Sequence, residues 1–253
     1  MISDEFADAN STHHSSLITH HSILTISVII PTRNEATTIG GLVSDLLCHG
    51  HGRVGEVIVV DSGSTDATIE EAQWAGARVV QAPRAGRAAQ MNYAAQLAQG
   101  NVLYFVHADV MINPDYVSDI AWAIRDGYES GCYRFRFDSD KALLRFNSYG
   151  TRFKGLYSRG GDQTLFITRS LFDRIGGFNE HYVIMEDFDI VRRILRVAKF
   201  LVIPKDVVVS ARKYETNSWL RVQVANLTAV LLFRCRVHPS HIARTYKLML
   251  NYR

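Results

Sequence analysis

The sequence predicts an α/β fold, a mostly parallel sheet flanked by helices and followed by a C-terminal helical extension. Two observations carry this. Near-continuous apolar runs, ISVIIPT, VIVVD and VLYFV, have the composition of strands buried on both faces. Stretches with helical period separate them, and this alternation is what crossover connections between parallel strands require.

The first 22 residues are polar, carry the pairs His13-His14 and His20-His21, and lack the apolar core of a signal peptide. They are expected to form a disordered leader over 1–22. From Ile23, ILTISVIIPT reads as the first strand, with Pro31 ending it. Ile39, Leu42, Val43, Leu46 and Leu47 then give one apolar helical stripe, closed by turns between Gly50 and Gly55. VIVVD is the second strand. Ser64 or Asp66 caps a helix running through Gln73, Arg78 to Val80 form a short strand, and Arg87 to Ala98 form a helix closed by Gly100. VLYFVHAD is a further buried strand, and Pro114 suits the first turn of a helix reaching Arg125.

Beyond that point the pattern is more mixed. YRFRF at 133–137 alternates like a half-exposed strand, and a short helix is expected around Leu143 to Phe153. Gly160-Gly161 breaks the chain before the strand TLFIT. After a second break at Gly176-Gly177, Glu186-Asp187 opens a helix with Phe188, Val191, Ile194, Leu195 and Ala198 on its buried face. With no internal repeat and no low-complexity linker, one domain over 23–215 and C-terminal helices over 216–253 are expected.

The 28 Lys and Arg residues against 25 Asp and Glu leave a small net charge, unlike that of a non-specific nucleic-acid binder. The three cysteines, Cys48, Cys132 and Cys235, are widely spaced and form no CxxC unit. They read as free thiols in a reducing, cytoplasmic setting.

Chemistry concentrates where strands end. Asp61 closes VIVVD and is followed by the small, polar loop Ser62 to Asp66, a place to receive a nucleotide; Asp66 either joins it or caps the next helix. Asp109 follows a buried strand in VLYFVHAD, where a carboxylate is costly to desolvate unless a cation or donor satisfies it. Its oxygens suit magnesium or manganese, whose coordination substrate phosphate and water complete. His107 is either a further ligand or a bystander. In PRAGR, Arg84 and Arg87 precede a helix whose free amides favour an anion, with Gln90 and Asn92 on its first turns. Glu186 and Asp187 sit at a helix start, where the dipole favours carboxylates and where one can serve as general base.

These residues resemble the family-2 glycosyltransferases of GT-A fold. SVIIPTRNE at 27–35 is similar to their opening strand and loop, VIVVDSGSTD at 57–66 to their nucleotide-binding loop, and HAD at 107–109 to a variant of their metal-binding DxD. The match continues through GGFNE at 176–180 and ED at 186–187. Within the family, GRAAQMN, LYFVHAD and SARKYE resemble a small bacterial branch described as arsenosugar-biosynthesis-associated. The resemblance implies that Pro31, Arg33, Glu35, Asp61 and Ser62 line the nucleotide and that Asp66 supports the loop. It implies that Arg87 and Asn92 approach the diphosphate or sugar, Asp109 binds a divalent cation, and Asp187 is the base. Glu186 and Gly161-Asp162-Gln163 would shape the acceptor side, and transfer would invert the anomeric carbon. His107 departs from the family by replacing the first Asp of DxD.

Downstream, SARKYE offers Arg212 or Lys213 as a cation closing over the diphosphate. The segment from Trp219 to Phe233 is strongly apolar but shorter than the roughly 20 residues a bilayer span needs. It reads as a helix packed on the domain or on a second subunit, or as a peripheral attachment to the inner face of the cell membrane with Trp219 at the headgroups, suited to a lipid-like hydroxyl acceptor. Two other functions fit parts of the pattern: a nucleotidyltransferase, and a non-catalytic protein that binds a nucleotide sugar or docks on membranes.

Overall fold

In the computed structural model, which describes residues 24–145 and 164–250, the chain opens with β1 (Ile26–Thr32), α1 (Ala36–Cys48), β2 (Val54–Asp61), α2 (Thr68–Trp74) and β3 (Arg78–Gln81). There follow α3 (Arg87–Leu97), β4 (Val102–Phe105), β5 (Val110–Met111), α4 (Tyr116–Arg125) and β6 (Ser130–Phe137). After the undescribed stretch come β7 (Leu165–Thr168), α5 (Arg169–Arg174), α6 (Glu186–Ile194) and β8 (Phe200–Val209). Three helices close the chain: α7 (Lys213–Thr216), α8 (Trp219–Arg234) and α9 (Pro239–Met249). The helix expected around Leu143 to Phe153 lies largely outside the described residues.

The strands form one sheet in the order β3-β2-β1-β4-β7-β6-β8-β5. The first four are parallel, β7 runs antiparallel to both β4 and β6, β6 and β8 are parallel, and β5 pairs antiparallel with β8. Both faces of the central strands β1 and β4 are covered. Val28, Ile30, Val57 and Val59 point into the core under α1 and α4, while the alternate residues Ile29, Ile58 and Val60 pack with α3, α5 and α6. The apolar runs follow from this arrangement. Pro31 is tolerated in a central strand because β1 pairs with β4 only as far as Ile29, so no ladder donor is needed where its N–H is missing.

Several expectations are corrected. Helix α2 begins at Thr68, so neither Ser64 nor Asp66 is its cap residue, although Asp66 accepts a hydrogen bond from the Thr68 amide at 3.1 Å. Leu195 is the residue that follows α6 and is exposed, while Ile194 before it is fully buried. Trp219 packs partly against the main core, in line with the reading of its helix as packed on the domain and not with the one that puts its ring at the headgroups. Strand β8 escapes the sequence pattern because Pro204 and Lys205 interrupt it: Tyr133 pairs with Ile203 and Arg134 with Asp206, leaving two residues as a bulge.

The C-terminal helices α8 and α9 pack on each other through Val222, Ala225, Ala229, Phe233, Ile242 and Tyr246. Their shared core also takes in Tyr182, Ile184, Met185 and Phe188, so the extension is seated on the segment that opens α6.

Candidate active site at the carboxyl edge of the sheet

The chain runs from β1 outward through β2 to β3, then crosses back to place β4 on the other side of β1. At that reversal the loops after β1 and β4 diverge, and a crevice opens outside the carboxyl ends of the strands. A cavity of about 1310 Å³ lies at the opposite, amino-terminal edge, lined by Arg53, Asn101, Val102, Thr168 and Arg169. The acidic loop ends and the helix carrying Arg87 are not among its lining residues, so the chemistry, not the volume, locates the site.

On one wall Asp61 is fully buried, and its carboxylate shapes its own loop: Oδ2 accepts from the amides of Gly63 at 2.8 Å and Ser64 at 2.9 Å, while Oδ1 accepts from the Ser64 hydroxyl. The loops after β1 and β2 are cross-braced. Asn34 takes the left-handed backbone (φ 56°), its amide donates to Ser64 Oγ at 2.8 Å, and its side-chain oxygen accepts from the Thr65 amide at 2.8 Å. Asn34 is a positioning residue that motif reading passed over; the signal for it was an Asn at a strand end, one of the few residues that adopts positive φ readily. The Glu35 amide donates to Thr68 Oγ1 at 2.8 Å and the Ala36 amide to Asp66 Oδ2 at 3.3 Å, which gives Asp66 its loop-supporting place. The Thr68 hydroxyl is the main reason the Asp66 carboxyl lies below its ordinary value. Ser62 donates its amide to the Thr32 carbonyl at 3.2 Å, and Arg33 is exposed beside it.

Gln90 is buried and points inward, away from any ligand. Its Nε2 donates to the Thr32 carbonyl at 3.0 Å and the Val60 carbonyl at 2.7 Å, pinning the ends of β1 and β2 together under the crevice. Asn92 likewise braces the fold: its Nδ2 donates to the Phe178 carbonyl at 2.9 Å and to Glu180 at 3.0 Å, and its Oδ1 accepts from the Phe178 amide at 2.8 Å. With donor and acceptor both engaged, Asn92 holds the Phe178 to Glu180 segment against α3. Gly177 makes that contact feasible, with φ 66° and a Cβ position only 2.8 Å from Asn92 Oδ1.

On the opposite wall, His107 and Asp109 form the turn after β4. The His107 side chain keeps some exposed surface yet lies deep in the protein mass; burial, then the nearby positive charge of Arg87, push its pKa down to about 3. The imidazole is therefore neutral near pH 7. Asp109 is half-buried, and its carbonyl accepts from the Ser210 amide at 3.3 Å, tying the turn to the segment that enters α7. Arg212 on that segment grips Glu35 with both terminal nitrogens, at 2.8 and 3.3 Å. Those bonds are the main cause raising Arg212 above its ordinary pKa, and attraction to Asp109 adds a smaller part. The Lys213 Nζ turns to the hydroxyl and ring of Tyr246 in α9, so of the two cations in SARKYE it is Arg212 that is bonded to the loop after β1.

The third wall is the start of α6. Met185 takes a left-handed conformation (φ 70°) rare for a side chain of its size, a local strain of about 1–3 kcal/mol held by packing against the C-terminal helices. It delivers Glu186 and Asp187 at the helix N-terminus. Glu186 is buried and accepts from Arg87 Nη1 at 3.1 Å, while Asp187 beside it is half-buried. Arg87 thus links the helix after PRAG, the His107 turn and α6. Gly161, Asp162 and Gln163, read as acceptor-side residues, lie outside the described residues. Among the described residues no cluster of three His, Cys, Asp or Glu side chains is arranged to hold a metal.

Residues 27–180 match the sequence model described as Glycosyl transferase family 2. The chain belongs to that family. Among curated relatives of this family-2 chain, a glucosyl-3-phosphoglycerate synthase of Mycolicibacterium paratuberculosis is 38% identical over 98 residues, 36% of this chain and 30% of that protein. Glycosyltransferase AglJ of Haloferax volcanii is 38% identical over 129 residues, 50% of this chain and 42% of the relative. The matched part thus spans less than half the length of either relative. Among solved structures, mannosyltransferase PcManGT from Pyrobaculum calidifontis, in complex with GDP-Man and Mn2+, superposes with a TM-score of 0.66 at 19% identity, over 88% of this chain and 69% of that one. Glucosyl-3-phosphoglycerate synthase from Mycobacterium tuberculosis, with Mn2+, UDP and phosphoglyceric acid, gives 0.60 at 21% identity, over 84% and 78%. These neighbours confirm the GT-A fold.

Proposed function

We propose that this family-2 chain transfers a sugar from a nucleoside diphosphate sugar to the hydroxyl of a small-molecule or lipid-like acceptor, with inversion at the anomeric carbon. The observation that carries it is the convergence of three walls on one crevice: the braced Asp61 loop, the Asp109 turn with Arg212, and the α6 terminus with Glu186 and Asp187.

Pro31, Arg33, Glu35, Asp61 and Ser62 form the nucleotide side, with Asp61 acting through the loop amides it holds. The donor set at the β4 turn fits magnesium or manganese, because one carboxylate with substrate phosphate oxygens and water meets the coordination habits of these hard cations. Bound by Asp109, a divalent cation would neutralise charge developing on the departing diphosphate. Arg212 adds positive charge on the same side once it exchanges Glu35 for phosphate. The acceptor oxygen forms its bond to the anomeric carbon as the bond to the diphosphate breaks, the electron pair leaves with the diphosphate, and the hydroxyl proton passes to Asp187. Arg87 holds Glu186 and so fixes the first turn of α6 that presents Asp187.

The arsenosugar-associated branch is part of this proposal. Its three signature segments, around Arg87, His107-Asp109 and Arg212, meet at this crevice, and the complexes of the structural neighbours lend the nucleotide and cation further support. A nucleotidyltransferase is disfavoured because only residues 33–35 separate β1 from α1, too few to wrap a triphosphate. The test is nucleoside diphosphate release in the presence of acceptor. Asp109→Ala and Asp187→Ala are each expected to lose about 10²-fold or more in turnover. Full activity in both would overturn the assignment.

A further inference from the structure

Helix α8 carries two apolar faces, separated by Arg221, Gln223, Asn226 and Thr228, and it buries only one of them. Val222, Ala225, Ala229 and Phe233 face the fold, while Leu220, Val224, Leu227 and Leu231, spaced i, i+4, i+7 and i+11, lie on the opposite face. These four are 64%, 46%, 59% and 52% exposed, an uninterrupted strip about 16 Å long at ~1.5 Å per residue. A second apolar face opposite the one that meets the fold calls for a second apolar partner, and none of the described residues covers it.

The charge around the strip selects what covers it. After Glu215 the sequence contains no Asp or Glu, but six of the chain's 28 Lys and Arg residues, while the chain before that point has 22 of them against 25 acidic residues. Arg234 and Arg236 are exposed at the end of α8, and Arg244 and Lys247 on α9. Two copies meeting strip to strip would bring the basic C-terminal segments together, and neither segment holds a carboxylate to offset the other's charge. An anionic lipid surface offers both matching partners, hydrocarbon for the strip and phosphate for the cations.

We propose that α8 docks this chain on an anionic membrane, lying in the plane of the interface with the Leu220 to Leu231 strip inserted. No helix among the described residues is long and apolar enough to cross a membrane, so the attachment is peripheral. Trp219 takes no part, its ring being packed against the core. The buried side of α8 rests on Tyr182 and Phe188, next to Asp187, so docking would hold the acceptor side near the bilayer. That last consequence rests on the transferase reading; the docking itself does not.

The full chain is to be sedimented with vesicles of phosphatidylcholine alone and of phosphatidylcholine mixed with phosphatidylglycerol, with no donor or acceptor present. Binding to the anionic vesicles is expected, weakened by salt. Leu220→Gln, Leu227→Gln and Leu231→Gln together should lower the partition coefficient roughly tenfold or more with unchanged circular dichroism. Arg234→Glu with Arg236→Glu should lower it by at least about fivefold per charge removed. Failure of the wild type to bind anionic vesicles, or undiminished binding by the leucine variant, would overturn the proposal. So would a wild-type dimer that the leucine variant converts to monomer, which would make the strip a subunit interface.

Discussion

Arg87 and Glu186 are 99 residues apart in sequence, and Arg87 Nη1 donates to Glu186 Oε1 across 3.1 Å, fastening the helix after PRAG to the helix that presents Asp187. Glu186 is almost wholly buried, while Arg87 keeps 44% of its side chain exposed. Solvent weakens the pair from the Arg side, but a buried carboxylate that loses a donor remains costly. Arg87→Ala is therefore expected to lower stability by about 1–3 kcal/mol in urea unfolding and to reduce kcat more than KM for the donor. Arg87→Lys should recover part of both. An unchanged kcat in Arg87→Ala would detach Arg87 from the presentation of Asp187.

Gln90 offers a cleaner separation of brace from ligand contact. Gln90→Leu preserves volume but removes two buried hydrogen bonds that close the ends of β1 and β2. A stability loss of about 1–3 kcal/mol and weaker nucleotide binding are expected together, measured by urea titration and calorimetry. Weaker binding at full stability would instead mean that Gln90 touches the ligand directly.

The Asp66 carboxyl is held below its ordinary 3.8, chiefly by the Thr68 hydroxyl. A lowered folded-state pKa means the contribution of Asp66 is fully present above 3.8 and is lost as pH falls through the depressed value. Thr68→Val should return the Asp66 pKa toward 3.8 in a carboxyl NMR titration and reduce the fall in stability on acidification below that point. An unmoved titration would assign the shift to the backbone donors Ala36 and Thr68 alone.

Arg212 is bonded to Glu35 by both terminal nitrogens, and its role is isolated by removing its side chain. Arg212→Ala should raise the donor KM or lower kcat by roughly 10–100-fold, as expected for losing one charge-assisted contact of about 1.5–3 kcal/mol. Lys213→Ala should leave donor kinetics nearly unchanged, since Lys213 faces Tyr246. Equal effects from the two variants would undo that distinction.

The strand and helix alternation through Phe105 was legible because β1, β4 and the end of β2 are buried on both faces and α1 carries an apolar stripe. Legibility fails where tertiary context outweighs pattern. Pro204 and Lys205 disguise β8, whose bulge lets Lys205 reach Asp115 and Asp119. Asp61, Asp109 and Glu186-Asp187 could be singled out as carboxylates at element ends, but not their partners. Nothing in local spacing couples Asn34 to Ser64, Asn92 to Phe178 or Arg212 to Glu35, since each contact forms between distant segments. The chemistry of α8 was legible as apolar; which half of it is covered depends on Tyr182, Phe188 and α9.

The donor crevice at the ends of β1, β2 and β4 is tested most directly by thermal unfolding with manganese and a panel of uridine, guanosine and thymidine diphosphate sugars. At saturating donor, at least one should raise Tm by about 5 °C or more in a metal-dependent manner. Asp109→Ala should remove the metal-dependent part of that shift. No stabilisation by any donor, or a shift of the same size in Asp109→Ala, would contradict the site.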